Sequence, residues 1–257
     1  MKNRFSQPEW HPRILSDQKI LIIGATGGIG KSLLSFLSES RDCIIGAHGN
    51  KNTVSQRSDK IIPIQKALDG EGACEEIIDK FTREAGGLDA TVILSGSINY
   101  SNHWMKIPED AWNIEISQNL SYPFFLARSS MGHMMEIGSG GKIILTGTES
   151  SLHGGSEFSF PYSIAKRGTE CMVQGLAREG APHNILVNGV RMGYIKSGFH
   201  ERWHNRSEAD MDKRSSLVPL KRGGDPAEVA AMITYLLSGY GDFITGQMLP
   251  ITGGDWL

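Results

Sequence analysis

Cysteine is scarce: the 257 residues contain three, Cys43, Cys74 and Cys171, far apart and odd in number. That excludes a disulfide framework and any paired-cysteine metal spacing, and it points to a reducing, cytoplasmic setting. An excess of one charge is also missing. Lys+Arg 26 stand against Asp+Glu 28, a net charge of −2. Nothing in that balance favours nucleic acid or an anionic membrane as a partner. No uninterrupted apolar run approaches the roughly 18–20 residues that span a bilayer. The polar N-terminal stretch, with Pro8 and Pro12, lacks the apolar segment of a secretion signal. Internal repeats and low-complexity linkers are absent too.

What remains is a chain that is 39% hydrophobic and divided into short apolar runs and longer amphipathic ones. Residues 19–23 (KILII), 43–47, 61–64, 90–94, 142–146, 185–190 and 247–251 read as strands, with Pro63 weakening the third. Helical periodicity covers 28–40, 72–85, 108–136, 161–179 and 226–238. Strand and helix alternate throughout. This predicts an α/β fold, a doubly wound parallel sheet with helices on both faces. Residues 1–18 read as an extension and 19–257 as one dinucleotide-binding and catalytic domain.

The stretch IIGATGGIG, residues 22–30, places four glycines in seven positions between the first strand and the first helix. Such a turn either serves the chain alone or lets a phosphate lie against backbone amides at a helix N-terminus. The spacing Gly24, Gly28, Gly30 is G-x-x-x-G-x-G, not the common G-x-G-x-x-G. About 130 residues on stands Tyr162-Ser-Ile-Ala-Lys166, and the C-terminal segment 219–254 reads PLKRGGDPAEVAAMITYLLSGYGDFITGQMLPITGG. With these motifs in order, the chain from about residue 19 resembles the short-chain dehydrogenase/reductase family, and most of all its 3-oxoacyl-acyl-carrier-protein reductases.

The resemblance implies an oxidoreductase that moves hydride between a nicotinamide dinucleotide and a small carbonyl/alcohol substrate. Tyr162 and Lys166, four apart, share one helix face. A free Tyr, with a pKa near 10, is a poor acid–base at neutral pH. The lysine ammonium, with an oxidised nicotinamide, is expected to lower that value and to hold the ribose hydroxyls. A hydroxyl that bonds the substrate oxygen is expected from KIILTGTESS: Thr148, fourteen residues before Tyr162, or else Ser150 or Ser151. Asn119 matches the asparagine that supports a proton relay through the lysine.

By the same resemblance Gly24, Thr26, Gly27, Gly28, Ile29 and Gly30 cradle the dinucleotide. Ser95 and Gly96, then Gly193, Ile195 and Ser197, also contact it, and Leu68 or Asp69 meets adenine. NAD would require a carboxylate at the end of the second strand. That strand reads CIIGAHGNKN, and His48, Asn50 and Lys51 suit a 2′-phosphate instead. NADP is therefore expected, with NAD the alternative. Three departures stand out. Ile93-Leu94-Ser95-Gly96 replaces Asn-Asn-Ala-Gly, Met192-Gly193 replaces Pro-Gly, and Asp69 lies two places from the position expected of an acid. They keep open a dinucleotide-binding sensor or scaffold with little catalysis.

Residues 200–204, His-Glu-Arg-Trp-His, match the zinc-protease pattern H-E-x-x-H. They fall within 196–218, where these reductases place a substrate lid, and the expectation is a lid helix with no metal. YPFFLARSSMGHMM, 122–135, carries more apolar side chains than one face requires, and the chain ends with Trp256 and Leu257. A homo-oligomer, a tetramer more than a dimer, would cover both.

Overall fold

The first strand, β1 (Lys19–Ile23), is buried from Ile20 to Ile23 in the computed structural model, which describes residues 17–38, 43–54, 58–202 and 207–255. A continuous apolar run is what a strand covered on both faces requires. It is joined by β2 (Ile44–Gly49), β3 (Ile61–Gln65), β4 (Ala90–Ile93), β5 (Gly141–Thr148), β6 (Ile185–Met192) and β7 (Met248–Ile251). The seven strands are all parallel, in the order β3-β2-β1-β4-β5-β6-β7. The predicted doubly wound sheet is therefore present. Pro63 is accommodated because β3 is an edge strand, where a missing ladder donor is tolerated.

Helices cover both faces. Ile20 and Ile22 point to one side, against Leu33 and Leu37 of α1 (Gly28–Ser38) and a C-terminal helix at Pro226–Leu237. Leu21 and Ile23 point to the other. There they meet Phe81 of α2 (Glu71–Ala85) and a layer built by later helices. The period-2 alternation of β1 thus divides the core into two clusters.

Between β4 and β5 the sequence predicts one helix over 108–136, and here the structure differs. It has α3 (Glu109–Ile116), a π-helical turn at Ser117–Ser121, and α4 (Tyr122–Ile137). The amide of Tyr122 donates to Ser117, five residues back. Pro123 has no N–H for the carbonyl four residues before it, which is that of Asn119, so the regular ladder cannot close there. Next come α5 (Phe160–Gly180), the short α6 (Phe199–Arg202), α7 (Glu208–Leu217) and α8 (Pro226–Leu237). Residues 196–218, expected as a lid from the sequence, include α6 and α7. A capping box between Ser207 and Asp210 starts α7, and Tyr194, Met211 and Val218 pack beneath it.

The strand order reverses between β1 and β4, whose carboxyl ends lie side by side at Ile23 and Ile93. Ligands in such sheets bind beyond this point. The glycine turn leaves β1 there, and Leu94–Gly96 leaves β4 there.

Candidate active site

The four glycines of the turn have different tasks. Gly24 takes a left-handed φ of +88°. A Cβ on Gly30 would stand 2.3 Å from the Gly24 carbonyl oxygen, so this glycine seats α1 on its own turn. A Cβ on Gly28 would stand 2.5 Å from the Ser197 carbonyl oxygen, so this one admits the backbone that leads into α6. Gly27 faces open space, its nearest neighbour being the Gly24 oxygen at 3.5 Å. The first amides of α1 have no acceptors within the helix and open toward that space.

The cleft is open to solvent and runs from this turn to α5. Gly24, Gly27, Gly28, Ile29 and Gly30 form one end. Ser95, Gly96, Gly193, Ile195 and Ser197 form its walls, and Thr148, Tyr162 and Lys166 its floor. Residues some 140 positions apart in sequence meet there because all lie at carboxyl ends of parallel strands or just beyond them.

Tyr162 and Lys166 are both buried, and the lysine Nζ lies 5.9 Å from the centre of the tyrosine ring. Lys166 also donates to the Thr146 carbonyl at 3.1 Å. Burial lowers its ammonium to about 8. The phenol of Tyr162 behaves differently from the sequence expectation. Burial holds it well above the usual range, the neighbouring hydroxyl of Thr148 opposes this, and the charge of Glu115 adds to the rise. Desolvation of the phenolate is the largest of these influences. Of the three hydroxyls considered, Thr148 is the one that acts on the Tyr162 phenol. Ser150 also lines the cleft, while Ser151 is engaged with the Thr148 carbonyl at 2.7 Å and with Glu170 at 3.0 Å.

Asn119 is fully buried in the π-helical turn and reaches across to the segment after β4. Its Oδ1 accepts from the Ser97 amide at 3.0 Å and its Nδ2 donates to the Ser97 carbonyl at 2.8 Å. Gly96 sits between the two parts of the site. A Cβ there would stand 3.1 Å from both Asn119 Oδ1 and Lys166 Nζ, and its φ is +156°.

Six expected cofactor residues are not on the cleft wall. Thr26 turns its methyl toward Gly49, where a Cβ would meet it at 2.7 Å. His48 is buried, with Nε2 bonded to the Lys66 carbonyl at 2.8 Å, and burial lowers its pKa, so it offers no charge to a phosphate. This corrects its reading as a phosphate ligand. Asn50 and Lys51 are exposed in the turn after β2. Leu68 packs on the second core cluster, and Asp69 is exposed.

The structure also adds residues. Phe199 of α6 lies over Tyr162 at 5.8 Å between ring centres, and Ile98, Met192 and His200 complete the walls. Buried Glu149, next to Thr148, pairs with Arg191 of β6 at 3.1 Å and ties the turn after β5 to its neighbour strand. No spacing rule signals that pair. His200 and Glu201 of the H-E-x-x-H motif begin α6. Trp203 and His204, like Trp256 and Leu257, lie outside the described residues.

The residues present suit a dinucleotide. Ser95 has a buried Oγ with no partner among the described residues, and the Gly27 cradle is one that a side chain would fill. A parallel sheet with this glycine turn at its reversal point, and a buried Tyr–Lys pair beyond it, defines a nicotinamide-dinucleotide-dependent oxidoreductase. Comparison with known proteins makes the class specific. Residues 49–255 match the profile of the family described as enoyl-(acyl carrier protein) reductase. A 3-oxoacyl-acyl-carrier-protein reductase of Vibrio cholerae is 28% identical over 95% of this chain and 99% of its own. One from Salmonella typhimurium is 30% identical over 92% and 96%. A solved short-chain type dehydrogenase/reductase from Mycobacterium marinum superposes with a TM-score of 0.82 at 27% identity, covering 95% of this chain and 97% of that one. The chain belongs to the short-chain dehydrogenases/reductases and is an NAD(P)-dependent enzyme of that family. Among the described residues no helix is long and apolar enough to cross a membrane.

Proposed function

We propose that the enzyme transfers hydride between NADP(H) and a small carbonyl/alcohol substrate, with Tyr162 moving the proton. The observation that carries this is the meeting of Tyr162, Lys166 and Thr148 on the floor of the cleft that begins at the glycine turn. The dinucleotide supplies the hydride when bound. Tyr162 Oη gives its proton to the substrate oxygen, or takes one from the alcohol in the reverse direction. Thr148, beside that phenol, steadies the same oxygen. Lys166 is assigned to the ribose hydroxyls, and its charge favours the phenolate. Asn119 supports the relay behind Lys166, and Pro123 supplies no amide to its carbonyl. Support for NADP comes from the end of β2, where no carboxylate stands and Lys51 is exposed.

The test is turnover of a panel of small carbonyls with NADPH and with NADH. Expected is a preference for NADPH of about tenfold or more in kcat/KM, a difference of roughly 1.4 kcal/mol. In the same assay Thr148→Val should lower kcat more than it raises KM, because its bond strengthens as charge develops on oxygen. Ser150→Ala should be close to wild type. A silent Thr148→Val beside a damaged Ser150→Ala would move the hydroxyl two residues on.

A homotetramer is proposed as the assembly. Leu120, Phe124, Phe125, Met172 and Leu176 line an apolar groove between α4 and α5, and Phe124 is 37% exposed. A symmetric contact through these helices would cover it. Leu176→Asp should shift sedimentation at micromolar concentration to smaller species. A wild type that sediments as a monomer of about 28 kDa would remove the proposal.

A further inference from the structure

The helix that leads into Asn119 carries a buried acid whose only part in the chemistry above is its charge's effect on the Tyr162 phenol. Glu115 of α3 is 1% exposed. Its Oε1 accepts from the backbone amides of Asn99 and of Tyr100, the latter at 2.9 Å. Its Oε2 accepts from Asn119 Nδ2 at 3.1 Å. All three partners are donors, so the acceptor-only carboxylate is the form that fits. Burial nonetheless pushes its pKa up, against these bonds. A carboxylate is costly to bury without a task that an apolar residue cannot perform.

Its partners indicate the task. Segment 97–100 has no regular structure of its own, and helix side chains hold its backbone. Asn119 takes both backbone polar groups of Ser97, and Glu115 takes the amides of Asn99 and Tyr100. Gln118 Oε1 accepts from Ser97 Oγ at 2.8 Å and from Asn99 Nδ2 at 3.0 Å. Just before this segment stands Gly96, against Lys166 Nζ. Ser95 and Ile98 line the cleft on either side of it.

We propose that Glu115 is a positioning residue: its carboxylate clamps segment 97–100 and the Asn119 amide together, and so holds Gly96 and Ile98 at the distance from Lys166 that the reaction needs. The inference rests on the function proposed above. Removing the charge alone is enough to break the arrangement. Glu115→Gln keeps the size but replaces one acceptor by an NH₂ group, which must face either Asn119 Nδ2 or the two backbone amides.

The experiment measures amide hydrogen exchange and kinetics on the same preparations. In Glu115→Gln the amides of Asn99 and Tyr100 should exchange about tenfold faster or more, a local opening that leaves the sheet protected. With carbonyl as the varied substrate, kcat should fall about tenfold, while KM for the dinucleotide changes less than about threefold. Gln118→Ala loosens the same segment without touching a buried group. It should produce both effects more weakly, and it serves if Glu115→Gln does not fold. Unchanged exchange at Asn99 and Tyr100 overturns the clamp. Faster exchange with unchanged kcat overturns the positioning role. A wild type that turns over no carbonyl overturns the function proposed above and the positioning role with it, while the exchange arm still decides the clamp.

Discussion

Tyr162→Phe is expected to reduce turnover by about 10²–10⁴-fold while leaving dinucleotide affinity within about threefold of wild type. The substitution removes one oxygen and little else. The ring that packs against Phe199 at 5.8 Å and faces Lys166 at 5.9 Å is retained. The hydroxyl lost is the one whose pKa Thr148 holds down against burial. Because burial holds this phenol above its usual range, the free enzyme keeps it protonated at neutral pH. That is the state a proton donor to a carbonyl requires. In the oxidative direction the same burial opposes the phenolate, so the alcohol reaction should be the more demanding of added positive charge. Activity near wild type in Tyr162→Phe, measured in both directions, would remove Tyr162 from the chemistry.

Lys166→Met should be at least as damaging, with kcat/KM lowered by about 10³-fold or more and dinucleotide binding weakened as well. Methionine replaces the buried stem but not the ammonium that donates to the Thr146 carbonyl. The loss should therefore exceed that of a packing defect. A pH signature separates the two. Burial lowers the lysine to about 8, so its charge is present below that value and lost above it. The wild-type kcat/KM for the dinucleotide, which reports groups of the free enzyme, should fall as pH rises through about 8. The same limb should be missing from Lys166→Met. A wild-type profile that stays flat from neutral pH to 9.5 would show that the charge of Lys166 plays no part.

Some features of this site follow from local rules and are legible in one dimension. Gly24, Gly28 and Gly30 mark a strand–turn–helix, and Tyr162 with Lys166 marks one face of a helix, because backbone sterics and the helical repeat act over a few residues. The doubly wound sheet follows from alternating apolar periods in the same way, and the edge position of β3 explains why Pro63 does not spoil the pattern.

Other features were not legible, for reasons of physics. His48 sits at the expected end of β2, but burial directs it to the Lys66 carbonyl rather than to a phosphate. A one-dimensional reading sees residue type and position, not which side chain is desolvated. Spacing favoured Thr148 and kept Ser150 and Ser151 as alternatives. Ser151 is taken up by the Thr148 carbonyl and Glu170, and those bonds depend on how β5, the turn after it and α5 pack. Glu115 and Glu149 read as ordinary acids, and their meaning lies in partners supplied by other elements, the segment after β4 and Arg191 of β6.

By itself, then, the sequence determined where the glycine turn falls, that strand and helix alternate, and that Tyr162 and Lys166 share one helix face. Each of these is settled by interactions between near neighbours. Only the tertiary structure decided which polar groups are dry and that Gly96 stands against Lys166. Desolvation and long-range hydrogen bonding belong to the packed arrangement of several elements.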